Sequence, residues 1–140
     1  MAADARAEAL GKVGLFSGCT KKELGSLAGL CTVLNVDEGF VLTTQGAPGW
    51  ECFVIADGDA TVDIDGRTVA KVGPGDCVGE MSLLDGGPRT ATVTARTPMT
   101  LYALSAAEFH SLLETSSTID RKIMTSLARR LREAESDWPH

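Results

Sequence analysis

Between residues 31 and 104 the chain breaks into short apolar and β-branched runs separated by turn residues. Few folds accommodate that pattern. The turns are Asp37-Glu-Gly39, Gln45-Gly-Ala-Pro-Gly49, Asp57-Gly58, Asp65-Gly66, Gly73-Pro-Gly-Asp76 and Asp85-Gly-Gly-Pro88. Two runs alternate strictly between apolar and polar residues, as half-buried strands do. In Asp59–Asp65 the apolar face is Ala60, Val62 and Ile64, and Thr90–Ala95 alternates in the same way. Asp65-Gly66 reads as a two-residue hairpin turn, because both residues tolerate positive φ. Most of the 15 glycines fall between Gly39 and Gly87, as tight turns require. Repeated short strands at this spacing predict a sandwich, jelly roll or barrel.

Helical sequence flanks this zone. Residues 2–13 are rich in Ala, Glu, Arg and Leu. Thr20-Lys-Lys-Glu23 reads as a capping box opening a short helix with Leu24, Leu27, Ala28 and Leu30 on one face. Ser105-Ala-Ala-Glu108 reads as a second box, with Ala106, Phe109, Leu112 and Leu113 on the buried side. A longer helix follows Thr115-Ser-Ser-Thr118. Its apolar stripe is Ile119, Ile123, Leu127, Leu131 and Ala134, and Trp138 continues it. Lys122, Arg129, Arg130 and Arg132 read as a solvated face. A length of 140 residues suits one domain. It divides into an N-terminal helical segment (1–30), a β region (31–104) and C-terminal helices (105–138).

Charge and cysteine usage exclude several functions. Nineteen acidic against 13 basic residues leave −6, which disfavours nucleic acid and anionic membranes. No apolar run is long enough for a membrane span, and the N-terminus lacks a secretory pattern. Cys19, Cys31, Cys52 and Cys77 show no C-x-x-C spacing and sit in or beside apolar runs. They read as reduced, mostly core residues of a cytoplasmic protein. With only His110 and His140 as histidines, no metal site is expected. The chain shows no nucleophile–base pair and no P-loop, so it does not read as an enzyme.

The segment Gly79-Glu-Met-Ser-Leu-Leu-Asp-Gly-Gly-Pro-Arg-Thr-Ala91 interrupts the β pattern and carries the chemistry. A short turn of helix formers follows the strand end Cys77-Val78. The first amides of a helix lack internal partners and suit an anion. Extending the Thr90–Ala95 alternation backwards puts Arg89 on the apolar face, which is costly for a guanidinium unless an anion pairs with it. On the residues alone, an internal Glu80–Arg89 ion pair is favoured over a bound phosphate.

The pattern of Gly79, Glu80, Leu83, Pro88, Arg89, Thr90 and Ala91 resembles the phosphate-binding cassette of the cyclic nucleotide-binding domain family. That family includes catabolite activator proteins, protein kinase A regulatory subunits and cyclic-nucleotide-gated channels. Leu15-Phe16, Gln45-Gly46, Gly58, Pro74-Gly-Asp76 and the two closing helices extend the likeness to about residues 14–135. The resemblance implies a mainly β fold: an eight-stranded β jelly roll with N-terminal helices and two C-terminal helices. It implies that Arg89 pairs with the cyclic phosphate and that Glu80 accepts from the ribose 2′-hydroxyl. Gly79 lies at the same sugar, amides at Met81 and Ser82 face the anion, and Thr90 and Ala91 touch the phosphate. It implies cAMP as ligand, with cGMP as the alternative because Thr90 offers a hydroxyl. Trp138 would cap the base or pack near the terminus.

Trp50 reads as a barrel-edge packing residue, Met81, Met99 and Met124 as core, and His110 as surface or half-buried. The functional expectation is a stand-alone cyclic nucleotide sensor that signals to an unknown effector protein by moving its last helix. The stripe on that helix suits either barrel packing or a homodimer. The alternative is a structural or partner-binding module of the same fold that binds no nucleotide.

Overall fold

A computed structural model of the protein describes residues 2–136. Trp138 lies outside the described residues. The described strands form two four-stranded antiparallel sheets. One is ordered β1 (Thr32–Val36), β8 (Met99–Ser105), β3 (Glu51–Asp57), β6 (Cys77–Val78). The other is ordered β2 (Val41–Thr43), β7 (Thr92–Ala95), β4 (Ala60–Ile64), β5 (Arg67–Val72). This interleaving is the jelly roll expected from the sequence. The helices are α1 (Ala2–Gly11), α2 (Lys21–Leu30), α3 (Glu80–Asp85), α4 (Ala106–Thr115) and α5 (Ser117–Ser136), with a 3-10 turn at Gly14–Phe16.

Strand β3 shows why the apolar runs are continuous in places. Cys52, Phe53, Val54 and Ile55 are all buried, because both faces of their sheet are covered. Phe53 and Ile55 point between the sheets with Leu101, Ala103, Val93 and Ala60. Cys52 and Val54 point the other way, into a second core with Leu104, Phe16, Leu27, Phe109 and Ile119 from the helical layer. Phe16 and Phe109 meet edge to face at 5.9 Å there. The β sandwich is therefore a barrel on one side and a platform for helices on the other.

Local signals place the elements. Thr20 Oγ1 accepts from the Glu23 amide at 3.2 Å, and Glu23 Oε1 accepts from the Thr20 amide at 2.8 Å. Such a cap is worth ~1 kcal/mol. At α4 the cap is one-sided. Ser105 Oγ accepts from the Glu108 amide at 3.2 Å but donates to the Glu108 carboxylate at 3.1 Å. The Asp65-Gly66 turn forms as expected, with φ of 53° and 80°. Gln45 clamps it, accepting from the Asp65 amide and donating to its carboxylate, each at 2.9 Å.

Three expectations are corrected, and the open question of the α5 stripe is narrowed. The alternation of β4 fades, since Val62 is half-buried and Ile64 exposed as the sandwich opens toward the hairpin. Met99 is core, but Met81 and Met124 are exposed at 56% and 63%, because α3 and α5 present those turns to solvent. The α5 stripe buries Ile119 and Ile123 but leaves Leu131 exposed, as the helix runs past the platform. Lys122 and Arg130 are not a solvated face. Lys122 pairs with Glu23 on α2, and Arg130 reaches across to Glu80.

Candidate functional site

The cassette begins where β6 ends. Gly79 adopts φ 83°, a left-handed conformation that a glycine enters without penalty, and turns the chain into α3. The far end is held by local bonds. Ser82 Oγ donates to the Gly87 carbonyl at 3.2 Å, and the Gly87 amide donates to Asp85 Oδ1 at 2.8 Å. The chain then runs beside the loop before β3. The Arg89 amide donates to the Ala47 carbonyl and the Gly46 amide to the Arg89 carbonyl, both at 2.8 Å. Those bonds fix the Arg89 backbone from both sides.

The Arg89 side chain is 8% exposed and threads between two glycines. A Cβ on Gly79 would overlap its Nη1. A Cβ on Gly49 would lie 2.7 Å from its Nε and 2.6 Å from the Ser82 side chain. The slot therefore needs glycine at both positions, so that the fork can pass to the cavity. Among the described residues Nη1 is buried with no protein hydrogen-bond partner. Burial pulls the guanidinium below its ordinary pKa, while Glu51 and Cys52 oppose that shift. A buried cation in this state favours a bound anion.

Gly79, Glu80, Met81, Ser82, Arg89, Thr90 and Ala91 all line one cavity of about 490 Å³. That is the size of a small-molecule site. Its remaining wall is largely apolar, built by Val62, Val72, Val78 and Val93 from facing strands. Thr43 also lines it, but its hydroxyl is committed to the Ala91 carbonyl at 3.0 Å. Thr90 is exposed at the rim.

The expected internal Glu80–Arg89 pair does not form. Glu80 instead accepts from Arg130 Nη1 at 3.0 Å and from Nη2 at 3.2 Å. The forked geometry of arginine matches a carboxylate in this way. Arg130 comes from α5 and also covers Gly14, where a Cβ would lie 3.0 Å from its Nη2. Sequence reading missed Arg130 and Gly49. The available signal for Arg130 was a carboxylate that needed a partner once Arg89 was reserved for an anion. Trp50 is not packed at the barrel edge. It is 66% exposed, with its ring lying over Gly86 at the end of the cassette.

The cyclic nucleotide-binding domain model matches residues 33–116. The chain belongs to that family. It is 27% identical over 135 residues to a CRP-like cAMP-activated global transcriptional regulator of Mycobacterium tuberculosis. That alignment takes 93% of this chain and 60% of the relative, so this chain spans about three fifths of the curated relative's length. A solved N-terminal domain of a transcriptional regulator from Streptomyces coelicolor A3(2) superposes with a TM-score of 0.84 at 29% identity. That match covers 96% of this chain and 94% of the other. The regulatory domain of Toxoplasma gondii protein kinase A, solved with cAMP, gives 0.72 at 28% identity, over 78% and 43% of the two chains. The family is a regulatory one, and among the described residues no helix is long and apolar enough to cross a membrane.

Proposed function

We propose that this chain binds a cyclic purine mononucleotide in the cassette cavity, cAMP ahead of cGMP, and reports occupancy through α5. The observation that carries this reading is Arg89. Its guanidinium is buried, reaches a cavity of nucleotide size and has an Nη1 without a protein partner among the described residues. One negative phosphate would satisfy it, with the first α3 amides at Met81 and Ser82 and the positions of Thr90 and Ala91 completing the anion contacts. Glu80 would accept from the ribose 2′-hydroxyl beside Gly79. Each charge-assisted bond of this kind is worth roughly 1.5–3 kcal/mol. The cAMP named for the mycobacterial relative and bound in the Toxoplasma domain supports the first ligand. The exposed Thr90 hydroxyl at the rim favours cGMP as the second.

Signalling follows from Glu80. Its carboxylate is held by Arg130, so a ribose that engages Glu80 changes what α5 is tied to. The output would pass to an effector protein or to a second copy of the chain through the exposed Met124 and Leu131 of α5. The net charge of −6 gives this chain little attraction for nucleic acid by itself. The role is binding rather than catalysis, in a cytoplasmic setting and with no metal.

Titration calorimetry of the full chain with cAMP, cGMP and linear 5′-AMP tests the reading. The expected result is saturable binding of the cyclic nucleotides, with thermal stabilisation of about 2.7 kcal/mol at 100 times Kd. The Arg89→Ala chain should lose most of that affinity. Absence of heat and of thermal shift with both cyclic nucleotides at millimolar concentration would favour the partner-binding alternative.

A further inference from the structure

Two of the free cysteines share one face of the sheet that feeds the cassette. Cys77 on β6 pairs with Val54 on β3, and Cys52 lies two residues before Val54, so both side chains point to the helical layer. Cys52 and Cys77 therefore occupy diagonal positions on neighbouring strands of the same sheet face. Cys52 is fully buried, whereas Cys77 is partly exposed and offers a way in for a small oxidant. β6 has only two residues and runs directly into Gly79 and Glu80. We propose that Cys52 and Cys77 form a disulfide under hydroperoxide and that this link weakens nucleotide binding at the cassette.

The chemistry balances in two steps. The Cys77 sulfur attacks the O–O bond, giving a sulfenic acid and releasing water from hydrogen peroxide or the alcohol from an organic hydroperoxide. The Cys52 sulfur then attacks the sulfenic sulfur, forming the S–S bond and expelling water. Diagonal positions on neighbouring antiparallel strands have Cα atoms about 7–8 Å apart. A disulfide holds them at about 4.4–6.8 Å. Closing the link therefore draws β6 along β3. Because β6 is so short, the shift passes to the Gly79 turn and to the Arg89 slot beside it. The neighbouring Cys52 thiol and burial push the Cys77 thiol up, with Glu80 adding to this and Arg130 opposing it. The thiolate is the attacking form, so the link needs sustained exposure to oxidant.

The test treats the full reduced chain with hydrogen peroxide and follows intact mass, peptide mapping and calorimetry with cAMP. The expected result is loss of two hydrogens, a Cys52–Cys77 linked peptide, and cAMP affinity several-fold weaker that dithiothreitol restores. The Cys77→Ser chain, compared with its own untreated sample, should show no change in affinity. Thiols that stay unlinked, Cys77 that stops at sulfinic acid, a link through Cys19 or Cys31, or a linked pair with unchanged affinity would each overturn the proposal. The affinity half rests on the proposed function. A reduced chain that binds neither cyclic nucleotide defeats that function and the affinity half together, while mapping decides the linkage separately.

Discussion

Arg130 and Glu80, 50 residues apart in sequence, are joined by two hydrogen bonds of 3.0 and 3.2 Å. The pair connects the last helix to the first residue of α3. Both side chains are about a third exposed or less, at 35% and 26%, so the link is solvent-screened. Its net worth is on the order of 0.5–1 kcal/mol, small enough for a ligand to displace.

Arg130→Ala should therefore loosen the far half of α5 without unfolding the sandwich, whose core includes neither residue. Amide exchange in residues 127–136 should rise about two- to five-fold, matching 0.5–1 kcal/mol. Exchange in β3 and β8 should stay unchanged. An equal rise in those strands would show that the pair supports the whole fold.

Arg89 should display a conflict between stability and binding. Arg89→Met replaces a buried cation lacking one partner with an apolar chain of similar length. The ligand-free protein should gain ~1–3 kcal/mol in urea denaturation. The same variant should lose its thermal shift with cAMP. A less stable variant would indicate that the guanidinium is well satisfied inside the protein.

Two glycine substitutions should act in opposite directions. Gly49→Ala places a Cβ 2.6 Å from the Ser82 side chain and 2.7 Å from Arg89 Nε. It should cost ~1–3 kcal/mol by overpacking and weaken cAMP binding, since the slot for Arg89 narrows. Gly29→Ala lies inside α2 with open space around the new methyl. It should raise stability by ~0.5–1 kcal/mol and leave binding alone. Denaturation curves and calorimetry on both variants check the contrast.

Acid should release α5 at its other anchor. The bond from Lys122 and the Thr20 amide hold the Glu23 carboxyl below its ordinary value. A depressed folded pKa contributes stability above the unfolded value of ~4.3 and loses it as pH falls through the folded value. Glu23→Gln should flatten the acid limb of a stability–pH curve below about pH 4 and leave its slope unchanged near neutrality, where the contribution is constant. The variant's curve should lie lower at neutral pH, where the wild-type pair is formed, and the two curves should converge at acid pH, where Glu23 is protonated and the wild type has lost the pair as well.

The sequence carried the β zone, the capping box at Thr20, the hairpin at Asp65-Gly66 and the cassette, because each depends on neighbouring residues. Turn chemistry, alternation and caps are short-range properties. The partner of Glu80 was not legible. It depends on how α5 crosses the platform, which is set by Ile119 and Ile123 packing on helices distant in sequence. Gly49 was unremarkable in its turn, since its role appears only when the Arg89 side chain passes it in space. The exposure of Met81 and Met124 escaped for a related reason. Hydrophobicity reports what a residue prefers, not which turn of a helix has run out of neighbours.

Strand β3 is a wall shared by two cores, with Cys52 and Val54 serving one and Phe53 and Ile55 the other. Drift at such a wall is constrained twice. A change of volume at one position displaces a backbone whose adjacent residues are fitted to the opposite chamber, and close-packed interiors yield little. Replacements here should be acceptable mainly in compensating sets that span both chambers. Among diverging copies of this domain, β3 should be among the last segments to change freely.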